Sequence, residues 1–221
     1  MKNKFLITVL CVMSTLPIIA QQQKYSAYHY QRASLFEVLP TSPDDIIFLG
    51  NSITDGGEWT ELLNNKAVKN RGISADVTQA VYDRLTPIVN GKPAKVFLLI
   101  GINDLAKGIP NDTIVYRISK IIDRIKTESP TTKLYLQSIL PVNECYGMYK
   151  DHTSRWMEVA KINEGLQAVA KKTNVTYVDI YTPFIGDEPG RMNPEYSNDG
   201  LHLMGSGYLK WVEIITPYVN E

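Results

Sequence analysis

A serine hydroxyl is a weak nucleophile until a base takes its proton, and a histidine serves as that base only when an acid holds its ring in the right tautomer. Three residues of this chain can fill those parts. Ser52 closely follows the apolar run Ile46-Ile47-Phe48-Leu49-Gly50, and Asp199 and His202 stand three residues apart near the end of the chain. In a tight turn or at a helix start, that spacing puts both side chains on one side, with the carboxylate in reach of the imidazole. Acyl transfer also needs donors aimed at the oxygen that becomes negative, each contributing about 2.7 to 4 kcal/mol. The backbone N–H of Ser52, the backbone N–H of Gly72 and the side-chain amide of Asn103 are available, each just after an apolar run. Every one of these residues also has a plainer reading. Ser52 suits a helix N-cap, Gly72 a turn, Asn103-Asp104 a polar turn, Asp199 a turn former and His202 the surface. Taken singly the plainer readings win, so the case for chemistry rests on joint placement.

Joint placement depends on strands. Residues 46–49 form an unbroken apolar run stopped by Gly50, the pattern of a strand buried on both faces. Further runs at 67–70, 95–100, 133–140 and 175–180 supply four more strands. Helices are predicted over 25–39, 58–65, 74–89 with Ser74 as N-cap, 154–172 and 204–219. Another starts at Asn111 or Asp112 and carries Ile114, Ile118, Ile121, Ile122 and Ile125 at helical spacing. A polar, aromatic loop is expected at 142–153. The connection 181–198, with three prolines, is long enough to suggest a functional loop. Alternating strands and helices imply a parallel sheet with right-handed crossovers and helices on both faces. The fold class is therefore α/β, a three-layer α/β/α sandwich on a flavodoxin-like five-stranded parallel sheet. Ligands bind such sheets outside the carboxyl ends of the strands, the edge on which Ser52, Gly72 and Asn103 fall.

Composition narrows the function classes. A chain of 221 residues with 44% hydrophobic content suits one core and one domain. Cationic and anionic side chains balance at 23 each, with no basic stripe, so nucleic acid is not an expected partner. The three histidines and two cysteines show no zinc-ligand spacing, and no glycine-rich loop has a phosphate-binding pattern. Neither a metal nor another cofactor is expected. Lys2 and Lys4, an apolar stretch over 5–19 and Ala20 before three glutamines read as a signal peptide over residues 1–20, followed by one domain over 21–221. The protein is thus expected to be exported, either periplasmic or secreted. Ser14, Thr15 and Pro17 break the apolar stretch, which argues against a stable membrane anchor. Cleavage would leave Cys145 as the sole thiol and permit no intramolecular disulfide.

Four blocks carry a family resemblance: Gly50-Asn51-Ser52-Ile53-Thr54, Asn70-Arg71-Gly72-Ile73-Ser74, Gly101-Ile102-Asn103-Asp104 and Asp199-Gly200-Leu201-His202. In this order and spacing the chain resembles the SGNH hydrolases, also called the GDSL esterase and lipase family. It departs from the G-x-S-x-G elbow of α/β-hydrolases, because Thr54 stands where the second glycine would be. It also has Asn51 where the short family name has aspartate. The resemblance implies Ser52 as nucleophile, His202 as general base and then acid, Asp199 as its orienting partner, and an oxyanion hole of Ser52, Gly72 and Asn103. The segment Gln137-Ser138-Ile139-Leu140-Pro141-Val142-Asn143 is similar to the branch of platelet-activating-factor acetylhydrolase-like and carbohydrate acetylesterase enzymes, which implies short acyl groups. Tyr146, Tyr149 and Trp156 are candidates to stack on a sugar ring, and Arg191 to line the pocket. The reading is an exported serine esterase acting on a small-molecule or glycan ester, with acetyl groups on carbohydrate as the substrate. A lysophospholipase or thioesterase is the enzymatic alternative. A non-catalytic carbohydrate-binding module on the same fold is the alternative of another class.

Overall fold

Runs of apolar residues without helical spacing become strands when both faces can be covered, as at Ile46–Gly50 and Lys95–Leu99, while the two edge strands are more polar. The computed structural model describes residues 23–221, so the expected leader at 1–20 lies outside the described residues. In chain order the elements are α1 (Ala27–Val38), β1 (Ile46–Gly50), α2 (Ser52–Asp55), α3 (Trp59–Leu62), β2 (Val68–Gly72), α4 (Thr78–Asp83), α5 (Thr86–Gly91), β3 (Lys95–Leu99), α6 (Ile102–Ala106), α7 (Asn111–Glu128), β4 (Lys133–Gln137), α8 (Lys150–Thr153), α9 (Trp156–Thr173), β5 (Thr176–Val178) and α10 (Gly205–Asn220). The strands pair in parallel in the order β2-β1-β3-β4-β5, the flavodoxin-like arrangement expected. Among the described residues, no helix is long and apolar enough to cross a membrane.

The register explains the core. Phe48 lies opposite Phe97, and Phe97 opposite Tyr135, so the three rings leave the same face of the sheet. They stack with centroids 4.9 and 4.5 Å apart. Trp59 continues the stack over Phe48 at 4.3 Å, and Trp211 of α10 meets Trp59 edge-on. Both indoles find acceptors: Trp59 donates to the Thr54 carbonyl at 2.8 Å and Trp211 to Gln137 at 2.7 Å. On the opposite face α7 buries Ile114, Ile118, Ile121, Ile122 and Ile125, the isoleucines at helical spacing, and α9 packs beside it.

One predicted helix divides. Residues 74–89 do not form a continuous helix capped by Ser74, because Ala75 takes a left-handed backbone (φ 67°) and the helical turns begin only at Thr78. Ser74 instead donates its N–H and hydroxyl to Asp55 at 3.2 and 2.7 Å. The cap comes from another loop, since the Asp104 carboxylate accepts from the Thr78 N–H at 2.8 Å. The helix then breaks between α4 and α5, where Pro87 sits in the first turn of the second piece. The expected loop 142–153 also contains α8, and β2 runs two residues past its expected end, so that Gly72 closes the strand rather than following it.

Two glycines let the site-bearing loop settle on the sheet. A Cβ at Gly50 would overlap the Thr54 hydroxyl and the Leu99 carbonyl, and one at Gly72 would overlap the Asp55 backbone. Gly50→Ala is expected to lower stability by about 1 to 3 kcal/mol, because the obstructing carbonyl belongs to the central strand β3 and cannot yield freely. Equilibrium urea unfolding checks this, and an unchanged midpoint would contradict the tight approach.

Candidate active site

Ser52 is the first residue of α2, at the carboxyl end of β1. Its hydroxyl lies 3.0 Å from Nε2 of His202. The other ring nitrogen, Nδ1, lies 2.8 Å from Asp199 Oδ2. Because a carboxylate only accepts, Nδ1 carries the proton, which leaves Nε2 bare to accept from Ser52. The three-residue spacing has a local cause. Asp199 Oδ1 accepts from the backbone N–H groups of Leu201 and His202 at 2.8 and 2.7 Å, so the aspartate builds the turn that presents its own histidine. Burial by itself would raise the Asp199 carboxyl, but those two N–H groups and the His202 ring together hold it below the usual carboxylate range. Ser197 secures the turn by accepting from Gly200 N–H at 2.9 Å, and Asn143 donates its N–H to the Gly200 carbonyl at 2.9 Å.

The loop after Ser52 is braced from two sides. Asn51 Oδ1 accepts from the Ile53 N–H at 3.1 Å, a cap that an amide oxygen makes as well as a carboxylate does. Asn70 Nδ2 lies 3.0 Å from each of the Thr54, Asp55 and Gly57 carbonyls. The first N–H groups of a helix have no intrahelical acceptor, so that of Ser52 is available to a substrate. Of the other two expected donors, Gly72 has its one hydrogen on a neighbour and Asn103 has one of two. Gly72 N–H donates to Asn70 Oδ1 at 2.8 Å, and Asn103 gives one amide hydrogen to the Asp76 carbonyl at 2.8 Å and keeps the other. Asp76 is itself buried and pinned, with His29 Nδ1 and Arg84 Nε each 2.7 Å from its carboxylate.

The four residues expected to line the pocket separate in the structure. Tyr149 packs its ring against His202, centroids 5.0 Å apart. Tyr146 instead spends its hydroxyl on the Pro194 and Ser197 carbonyls. Arg191 lies over the Trp156 ring at 4.1 Å and pairs with Glu144 and Glu188. The Glu144 pair and the Tyr146 bonds fasten the 181–198 connection to the loop after β4, and the Trp156 contact fastens it to α9. Asn70, Asp76 and His152, which donates to Asn103, carry local roles that the sequence reading did not assign. Asn70 lies within the glycine block, two residues before Gly72, and that proximity was the available signal.

With this geometry established, comparison with known proteins is decisive. The model of the GDSL-like lipase/acylhydrolase family matches residues 48–210. The chain belongs to that family. It is accordingly a carboxylic ester hydrolase. A Streptococcus pneumonia structure provisionally described as a platelet activating factor is similar to this family member, at 28% identity, TM-score 0.77, and coverage of 87% of this chain and 91% of that one. A GDSL-like lipase from Bacteroides thetaiotaomicron (24% identity, TM-score 0.75, covering 87% and 97%) and Axe2, an acetylxylan esterase from Geobacillus stearothermophilus (18%, 0.64, 82% and 96%), share the fold. The N-acylneuraminate cytidylyltransferase of Escherichia coli O18:K1:H7 is 29% identical over 174 residues, which span 76% of this chain and 38% of that relative.

Because the Asp199 carboxyl is held below its unfolded value, its contribution to stability is present above about pH 4 and is lost as the pH falls through the folded value. The family member is therefore expected to melt above its Asp199→Asn variant at pH 7 and to show a smaller advantage at pH 3. Thermal unfolding at both values checks this; an equal gap at each would remove the assignment of an ionised, hydrogen-bonded carboxylate.

Proposed function

We propose that this protein hydrolyses short-chain acyl esters through Ser52, His202 and Asp199, with an acyl-enzyme between two half-reactions. The observation that carries the reading is the unbroken chain of hydrogen bonds from Ser52 Oγ through the His202 ring to Asp199, at 3.0 and 2.8 Å. In the first half, Ser52 Oγ attacks the ester carbonyl carbon while His202 Nε2 takes its proton. The oxyanion is met by the Ser52 N–H and the free hydrogen of Asn103, with Gly72 N–H shared between Asn70 and the substrate. The intermediate collapses as His202 returns the proton to the leaving alcohol. Water then attacks the acyl-enzyme with His202 again as base, and His202 returns the proton to Ser52 Oγ as the acid departs. Asp199 keeps its proton-free form throughout and stabilises the imidazolium.

Acetyl on a carbohydrate is the substrate this reading favours. Tyr149, 45% exposed beside His202, offers an aromatic surface on which a sugar ring can stack. The acetylxylan in the name of one fold neighbour supports this reading. A signal peptide at residues 1–20 would take the enzyme to glycans outside the cytoplasm.

Ser52→Ala is expected to lower kcat on nitrophenyl acetate by at least about 10⁴-fold while leaving the melting temperature within a few degrees. Full turnover by that variant would remove the nucleophile. Along a series of nitrophenyl esters, kcat/KM should fall from acetyl to octanoyl, and released acetate should be detected from acetylated sugars. A preference for octanoyl would instead favour the lysophospholipase or thioesterase reading. No turnover of any ester by the native protein would favour a carbohydrate-binding module.

A further inference from the structure

A second histidine reaches the same centre from a different element. His152 lies in α8, and its Nε2 is 2.9 Å from Asn103 Oδ1. The tautomer follows from the partners. The Asp76 carbonyl accepts only, so the Asn103 atom facing it at 2.8 Å is Nδ2. Oδ1 therefore faces His152, and an amide oxygen also only accepts, so His152 must carry its proton on Nε2. Burial, and next the charge of His202, lower the His152 pKa, which keeps the ring neutral at pH 7 with Nδ1 bare. The two histidines thus hold opposite tautomers: Nδ1–H on His202, Nε2–H on His152.

The segment that delivers His152 is strained. Tyr149, just before α8, takes a left-handed backbone with φ 47°, which costs a bulky residue on the order of 1 to 3 kcal/mol. That turn sets the Tyr149 ring against His202, and the helical turn it starts brings the His152 imidazole to Asn103. Two bonds then define the plane of the Asn103 amide, one at each end. Its remaining hydrogen has a single direction.

We propose that His152 is a positioning residue for acyl transfer, its Nε2–H holding the Asn103 amide so that the free Nδ2 hydrogen stays in place for the oxyanion. This rests on Asn103 acting as an oxyanion donor, as set out above. Without the imidazole, Oδ1 of the nearly buried Asn103 loses its hydrogen-bond donor, and the amide can swing toward water. Such a donor contributes only where it is pre-set, so the effect belongs to the transition state rather than to ground-state binding.

The test combines kinetics and spectroscopy on the full chain with nitrophenyl acetate. His152→Ala is expected to lower kcat about 10- to 100-fold with KM changed less than about threefold, and His152→Gln, whose amide can donate, to recover most of the loss. In an Asn103→Ala background, His152→Ala should subtract less than about twofold further. A long-range ¹H–¹⁵N spectrum of the native protein should show His152 protonated at Nε2. Unchanged kcat in folded His152→Ala beside a slow Asn103→Ala would overturn the positioning role and leave the catalytic reading intact. Fully additive losses, a glutamine variant no better than alanine at equal melting temperature, or the Nδ1–H tautomer would each overturn it as well. Undiminished activity in Asn103→Ala alone would instead remove the oxyanion reading, and this inference with it.

Discussion

The hydrogen bond between Ser52 and His202 joins residues 150 positions apart, and the rest of the architecture can be understood as the means of closing that distance to 3.0 Å. A pair this remote in sequence gains about 1 kcal/mol from the bond itself, far less than ordering the chain between them costs. The contact therefore exists because the sheet and α10 are held by apolar burial. The stack of Trp59, Phe48, Phe97 and Tyr135 is central to this, since the Trp59 indole donates to the Thr54 carbonyl and so ties the aromatic layer directly to the loop that carries Ser52.

On the opposite side of the serine, the anchor is polar and buried. Asp76 accepts from Arg84 and meets His29 of α1 while its own carbonyl takes a hydrogen of Asn103. Burial pulls the Arg84 pKa down and Asp76 pulls it back. Removing one member of such a buried ionic group costs about 3 to 5 kcal/mol, against roughly 1 for an ordinary hydrogen bond. The Asp76 backbone is consequently one of the least movable points near the site. That rigidity suits the oxyanion role proposed for Asn103, since a donor that must reorganise during the reaction loses most of its effect. Helix α1 thus contributes to the site through His29.

Local patterns revealed much of the scaffold and the order of the blocks, but not the fine division of labour. The inner strands were legible because a parallel sheet covered on both faces demands apolar runs, and α7 because its isoleucines repeat on one face. The split of 74–89 into α4 and α5 was not, because Asp104 rather than Ser74 caps α4, and that partner lies 26 positions ahead. Tyr146 and Trp156 meet the 181–198 connection, at the Pro194 and Ser197 carbonyls and at Arg191, and Arg191 in turn pairs with Glu144, contacts that residue types alone did not reveal. His152 was invisible for the same reason in reverse, because nothing in its own neighbourhood announces a partner 49 positions away.

What the chain's sequence determined alone is the set of elements and the placing of Ser52, Gly72 and Asn103 at the carboxyl ends of successive strands, since apolar periodicity and turn chemistry act over a few residues. It also determined the Asp199 turn, which closes within four residues. Only the tertiary structure decided which donors remain free, which aromatic side chain faces the imidazole and which second histidine steadies Asn103. Those outcomes depend on hydrogen bonds between loops distant in sequence, and a hydrogen bond forms or fails over a fraction of an ångström that only the packed core fixes.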